Sequence, residues 1–210
     1  MHIYAFGSVC RGDIDSSSDI DLLAIVNGFD HRFDPQLYSI YSRRRIGEIW
    51  AEGNPFAWHL SIESRLIFSS DGSDILSSMG QPNRYTACRQ DCEKFRNLFL
   101  EAQSSIREDG RTMTFDLSTT FLAIRNFATC FSLGRLETPV FSRNAALLLS
   151  ERSLPISAAA YSVFERARIL CTRGYGPGVS KDEAHMAMGF LSTIEKWMNG
   201  LLLEICRDDI

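Results

Sequence analysis

The sequence predicts an α+β protein, in which a small mixed β-sheet unit over residues 1–84 is followed by an all-helical bundle over residues 85–210. Two observations predict this division. Before the turn at residues 80–82, short apolar runs end at turn-forming residues, which is typical of strands. After that turn, apolar residues recur in alternating steps of three and four, which is typical of amphipathic helices.

The first unit is predicted to contain a strand, a loop, a strand, a helix and a strand, in that order. Residues 2–6 and 20–26 are apolar runs, and the second run ends at Asn27-Gly28, a strong turn signal. Residues 37–50 carry apolar side chains at roughly helical spacing, which predicts a helix of about four turns. Residues 58–63 alternate between apolar and polar side chains, and this period of two predicts a strand with one polar face.

The second unit is predicted to be helical throughout. Ser180 is followed three places later by Glu183, which is the pattern of a capping box and predicts the start of the last helix. The predicted helices cover residues 88–106, 114–133, 142–151, 157–173 and 181–206.

The composition narrows the classes of function. The formal net charge is −4, whereas a general nucleic-acid binder carries surplus Lys and Arg for phosphates, so nucleic acid is not an expected partner. The six cysteines form neither a CxxC pair nor a cluster with histidine, so we expect no zinc site and no disulfide framework. The sequence shows no signal peptide and no apolar run long enough to span a membrane. We therefore expect a cytoplasmic protein without membrane contact.

The main motif begins with Phe6-Gly7-Ser8 and continues, after ten residues, with Asp19-Ile20-Asp21 in an apolar strand. Residues two apart on a strand point to the same face, so the two carboxylates are expected to project together, with Ile20 and Leu22 buried on the other side. Two like charges at one place are costly. They are explained if a divalent cation lies between them, because hard oxygen ligands suit Mg²⁺.

The residues before the strand suit a phosphate. Gly7 has no Cβ, so the backbone can approach a phosphate closely, and the Ser8 hydroxyl can donate a hydrogen bond to a phosphate oxygen. The motif thus joins a candidate phosphate site to a candidate metal site.

This arrangement resembles the signature of the DNA-polymerase-β-type nucleotidyltransferase superfamily, which has a Gly-Ser turn, a spacer of about ten residues and Asp-x-Asp in a strand. It is most similar to the small bacterial members, the minimal and kanamycin-type nucleotidyltransferases with a C-terminal helical domain. Their motif often has Gly-Ser-x-Ala-Arg-Gly before Ser-Asp-x-Asp. In this sequence the corresponding stretches are Gly7-Ser8-Val9-Cys10-Arg11-Gly12 and Ser18-Asp19-Ile20-Asp21.

The resemblance implies a function and a set of site residues. Asp19 and Asp21 would be catalytic and would hold Mg²⁺, and a nucleoside triphosphate, ATP by preference, would be bound by Gly7, Ser8, Arg11 and Ser18. The implied reaction transfers a nucleoside monophosphate to the hydroxyl of a small molecule or a protein and releases pyrophosphate by a two-metal mechanism.

A third carboxylate usually completes such a site from a later strand. In the strand predicted at residues 58–63, the polar face offers His59, Ser61 and Glu63, and we expect Glu63 or His59 to be catalytic. The alternative is structural, with Glu63 capping the strand at the surface and His59 half-buried in a hydrogen bond.

A second function stays open at this point. A chain with a degenerate third position would be a catalytically weak nucleotide-binding module or an antitoxin-like partner module. A strand that starts at residue 2 leaves part of the sheet exposed, which favours either a cover by the helical domain or a partner subunit. A homo-oligomer or a partner protein is therefore expected.

Overall fold

The structure is a computed structural model, and it describes residues 1–13, 20–28, 30–108 and 112–208. The chain divides into two compact units, Met1–Thr86 and Ala87–Ile210. The first contains a four-stranded mixed sheet, and the second is built from helices. The predicted α+β fold class is confirmed.

The sheet of the first unit has the strand order β3-β2-β1-β4. Strand β1 (His2–Phe6) lies between β2 (Asp21–Val26) and β4 (Ser64–Ser69) and is antiparallel to both, while β3 (Tyr38–Ser42) runs parallel to β2. The last residue of β1, Phe6, pairs with Asp21 on one side and with Ser64 on the other. The starts of β2 and β4 therefore flank the end of β1.

Among the described residues of this unit, the sheet is accompanied by the helices α1 (Ser8–Arg11), α2 (Arg43–Ala51), α3 (Pro55–Glu63) and α4 (Ile75–Ser78). One face of the sheet forms a core with α2, α3 and α4, and this core contains the following buried side chains: Tyr4, Phe6, Leu23, Ile25, Ile46, Ile49, Trp50, Ala57, Leu60, Ile75 and Leu76. Burial of these side chains holds α3 against the sheet near the end of β1.

The single helix predicted over residues 37–50 is wrong at its beginning. Residues 38–42 form β3, and the helix begins only after Ser42, whose side chain accepts a hydrogen bond from the backbone N–H of Arg45. Tyr38, Ile40 and their neighbours satisfy a helical spacing, but β-branched and aromatic residues also suit a strand, and pairing with β2 decides between the two.

The strand predicted over residues 58–63 is also wrong, because these residues belong to helix α3. The start signal is Asn54-Pro55: the Asn54 side chain accepts from the N–H of Phe56, and proline suits the first helical position. On a helix, His59 and Glu63 lie one turn apart on the same face, whereas Ser61 points elsewhere.

The second unit contains α5 (Cys88–Glu108), α6 (Met113–Arg135), α7 (Ala158–Arg173), α8 (Lys181–Met188) and α9 (Leu191–Asp208). Three of the predicted helices are confirmed as α5, α6 and α7. The helix predicted at 142–151 is wrong, since two single turns of 3-10 helix, Ala145–Leu147 and Ser150–Arg152, stand there. The last predicted helix is interrupted at residues 189–190, and its capping box is confirmed.

The cysteines of the structure are free thiols. The six cysteines form no disulfide. Within the described part of the chain, no helix has both the length and the apolar character needed to cross a membrane.

A hydrogen-bonded tyrosine joins β1 to the start of α4. Tyr4 is 1 % exposed, and its hydroxyl donates to Asp74 Oδ1 at 2.8 Å and accepts from the backbone N–H of Leu76 at 3.2 Å. Burial raises the pKa of Tyr4 to about 12, and the Asp74 carboxylate adds to that rise. The neutral phenol is therefore part of the folded core.

We predict that Tyr4→Phe lowers the free energy of unfolding by about 1–2 kcal/mol, because a buried N–H loses its acceptor. Urea denaturation followed by the fluorescence of Trp50 and Trp58 measures this loss. Because the pKa of Tyr4 is raised, its contribution is complete below pH 10 and is lost as the pH rises towards 12, so the gap to wild type should narrow there. Tyr41→Phe, in a half-buried ring of the same core, is the control. An equal loss in both variants would contradict this assignment.

Candidate functional site

Asp21 is the first residue of β2, at the end of the sheet where β1 finishes. Its side chain is exposed, while Leu22 is half-buried. The expected burial of Ile20 is wrong, since this side chain is 62 % exposed. The reason is that sheet pairing begins at Asp21, so Ile20 precedes the part of the strand that has a buried face. Asp19 and Ser18 lie outside the described residues.

Gly7 links the carboxylate of Asp21 to the end of β1. Its backbone has φ 78° and ψ −140°, a conformation open to glycine and strained for other residues. A Cβ built on Gly7 would lie 2.7 Å from Asp21 Oδ2. The missing side chain is thus needed for the Asp21 carboxylate to take its place against the backbone.

Ser8 and Arg11 lie on the single turn of α1 that follows Gly7. The turn closes with Gly12 at φ 80°, whose N–H donates to the carbonyls of Ser8 and Val9. Ser8 is half-buried, and the predicted phosphate-binding residues 7, 8 and 11 therefore share one short segment, residues 7–12, directly beside Asp21.

Glu63, at the end of α3, contacts this same segment twice. Its backbone carbonyl accepts from the Gly7 N–H at 3.1 Å, and its Oε2 accepts from Arg11 Nη1. The same Oε2 accepts from His59 Nε2 at 2.9 Å. The Glu63 side chain is 10 % exposed, so this is a nearly buried carboxylate with two nitrogen partners.

Arg11 has a second acidic partner. Its Nε donates to Asp13 Oδ2 at 3.0 Å. Burial alone would lower the pKa of Arg11, but the hydrogen bond that Arg11 donates to Asp13 and the charge of Glu63 outweigh it, and the pKa is raised above its ordinary value. The guanidinium is thus a fixed positive charge between two carboxylates.

His59 is held by aromatic packing as well as by Glu63. Its ring contacts Phe6 edge to face, with 5.6 Å between centroids, and Phe56 at 6.5 Å. The side chain is 12 % exposed. The imidazole therefore has a defined orientation under the end of β1.

The third carboxylate, which was expected on a later strand, is not a strand residue. Strands β3 and β4 have the sequences YSIYS and SRLIFS, which contain no carboxylate. Glu63 stands one residue before β4, and Asp21 starts β2, so the central strand β1 lies between them. Two strand spacings separate their backbones by about 10 Å.

Residues 2–79 match the family model described as nucleotidyltransferase domain. This match supports the polymerase-β-type superfamily for the segment that carries the site, and with it general nucleotidyl transfer. No curated protein and no solved structure matches the chain.

The geometry at Gly7 gives a prediction with a matched control in Gly12. Both glycines have positive φ, but a Cβ at Gly12 would meet nothing within 4 Å. We predict that Gly7→Ala lowers the free energy of unfolding by about 2–3 kcal/mol, while Gly12→Ala, in the left-handed region, costs about 1 kcal/mol.

Only Gly7→Ala should also displace the Asp21 carboxylate. The new Cβ would clash with Asp21 Oδ2, and the end of the Asp21 side chain is the group that can move away. Urea denaturation and a crystal structure of each variant check the two parts. Equal losses with Asp21 in place in both variants would refute the close approach.

Proposed function

We propose that the nucleotidyltransferase domain at residues 2–79 transfers a nucleoside monophosphate from a nucleoside triphosphate, ATP by preference, to the hydroxyl of a small molecule or a protein. In this reaction the acceptor oxygen bonds to the α-phosphorus, the bond from that phosphorus to the α–β bridging oxygen breaks, and pyrophosphate leaves. The hydroxyl proton passes to a base or to solvent. The observation that carries the proposal is the Asp21 carboxylate seated against Gly7, directly before Ser8.

The donor set fits Mg²⁺. Asp19 and Asp21 offer the hard carboxylate oxygens that this ion prefers, and Mg²⁺ is commonly held by one or two carboxylates together with phosphate oxygens and water. Among the described residues, which exclude Asp19, no three side chains of His, Cys, Asp or Glu group as a metal site. The proposed site therefore rests on the two aspartates and the nucleotide. A bound Mg²⁺ would supply neutralisation of the charge that develops on the phosphate oxygens.

The chain's own groups would bind and orient the triphosphate. The backbone at Gly7 and the hydroxyls of Ser8 and Ser18 would contact phosphate oxygens, and Arg11, on the same turn, would add positive charge beside them. For the third position the chain offers Glu63 and His59, which hydrogen-bond each other at 2.9 Å on α3. Neither of them shares a strand face with Asp21.

A second candidate function is a nucleotide-binding module with little or no transfer. Two observations favour it: strands β3 and β4 carry no carboxylate, and Glu63 is hydrogen-bonded by Arg11. Mg²⁺-dependent transfer of label from an α-labelled triphosphate to a pool of acceptors separates the two functions. Tight binding of the nucleotide without transfer of label to any acceptor would favour the nucleotide-binding module.

We predict that Asp19→Asn and Asp21→Asn each abolish label transfer while the melting temperature holds or rises. The reason is that removing one carboxylate from a like-charged pair relieves repulsion but removes a metal ligand. Asp34→Asn, in the loop before β3, is the control and should transfer label normally. A lower melting temperature together with retained transfer would contradict the assignment of the aspartates.

We predict that Ser8→Ala weakens binding of the triphosphate in the presence of Mg²⁺ by about 1 kcal/mol, the typical net value of one hydrogen bond. Isothermal titration calorimetry with a non-hydrolysable triphosphate measures it. Ser78→Ala, on α4, serves as the matched control. An unchanged dissociation constant for Ser8→Ala would remove Ser8 from the phosphate site.

A further inference from the structure

We infer that Glu63 is a positioning residue that holds the segment of residues 7–12 through Arg11, and that it is not the third metal-bound carboxylate. The inference rests on the proposed function, because its purpose is to place Gly7 and Ser8 against a nucleotide. In this inference Arg11 and His59 are also positioning residues, because their hydrogen bonds to Glu63 stabilise the same segment.

The first step is that Glu63 forms hydrogen bonds to both ends of the segment. The Glu63 carbonyl accepts from the Gly7 N–H at 3.1 Å, and the Glu63 carboxylate accepts from Arg11 at the other end of the turn. A residue that acted only as a metal ligand would need neither contact. The two contacts together fix the position and the orientation of α1.

The second step concerns charge. The Glu63, His59 and Arg11 side chains are 10 %, 12 % and 20 % exposed, and both nitrogens converge on the same carboxylate oxygen. Moving a nearly buried carboxylate from this pair to a metal would leave the Arg11 cation without its main buried counterion, which is unfavourable. Glu63 thus already has a cationic partner in Arg11 and a second nitrogen partner in His59.

The third step concerns the position of Gly7 between the two acidic residues. Glu63 precedes β4 and Asp21 starts β2, with β1 between them, so their backbones are about 10 Å apart. Gly7 lies between the two: the Asp21 carboxylate packs over its Cα, and the Glu63 carbonyl accepts from its N–H. A shift of Gly7 would therefore disturb the Asp21 carboxylate. Glu63 acts on the metal site through the backbone of Gly7.

The fourth step is the support of Glu63 itself. His59 precedes it by one helical turn, donates to its carboxylate, and rests edge to face on Phe6, the residue just before Gly7. The contacts form a closed ring from Phe6 through His59, Glu63 and Arg11 back to the segment. Such a ring favours one arrangement of the turn, because each member limits the rotamers of the next.

The experiment compares Glu63→Gln, Glu63→Ala, Arg11→Met, Arg11→Lys and the double variant Arg11→Met/Glu63→Ala in the full chain. Steady-state transfer from an α-labelled triphosphate gives kcat and the KM for the nucleotide across pH. Glu63→Ala and Arg11→Met should raise this KM about tenfold, as expected for one lost charge-assisted hydrogen bond, with a smaller change in kcat.

The variants should also show coupling and rescue. The double variant should be no worse than either single variant, because both break the same contact. Glu63→Gln and Arg11→Lys, which keep an acceptor and a cation, should recover most of the nucleotide KM, and the pH profile of kcat should keep its shape. A fall in kcat of Glu63→Gln as deep as that of Asp21→Asn, or additive losses in the double variant, would overturn the inference.

Hydrogen exchange gives a readout that does not depend on transfer. Amide exchange in residues 6–13 should become faster in Glu63→Ala and Arg11→Met, and should match wild type in Glu48→Ala, whose carboxylate pairs with Arg44 and Arg45 on the surface of α2. If wild type transfers no label from any triphosphate, the proposed function is wrong. The positioning role of Glu63 is then tested by amide hydrogen exchange alone. Unchanged exchange in Glu63→Ala and Arg11→Met would refute the positioning role.

Discussion

The site depends on one constraint: residue 7 must be a glycine, with no side chain. It permits the backbone conformation at φ 78° and leaves room for Asp21 Oδ2 at a place that a Cβ would occupy. Because the Gly7 N–H also binds the Glu63 carbonyl, this residue joins the starts of β2 and β4. Two carboxylate-bearing segments from distant parts of the sequence are thereby brought to one backbone position.

Local sequence signals predicted the parts of the fold in which one pattern fits one structure. The apolar runs of β1 and β2, the long periodic helices α5 and α6, and the capping box at Ser180 are such cases. Residues 58–63 show the opposite case. Their alternation fits a strand, yet Ala57 and Leu60 are three apart and fully buried, and the Asn54-Pro55 cap begins a helix. A short segment with two compatible periods is decided by its flanks and by packing.

The candidate site divides in the same way. The Gly-Ser and Asp-x-Asp residues are recognisable because their spacing is local and their chemistry is distinctive. The ring of Arg11, Glu63 and His59 joins residues that are 52 positions apart in sequence, and a pairing of that kind follows from the sheet register. One signal was present: on a helix, His59 and Glu63 are four apart and face the same way. In the predicted strand, the contact between His59 and Glu63 is not expected, because residues four apart on a strand are not neighbours.

The two acidic positions differ in surroundings, and this difference separates their chemistry. Asp21 begins a strand and is exposed. Glu63 is enclosed, shares its oxygen between an arginine and a histidine, and has its backbone bonded to the glycine turn. An ion such as Mg²⁺ dehydrates reluctantly and keeps several water ligands, so the proposed metal site is better served by an exposed carboxylate than by an enclosed one. The enclosed carboxylate is better suited to fix the turn that the open one rests on.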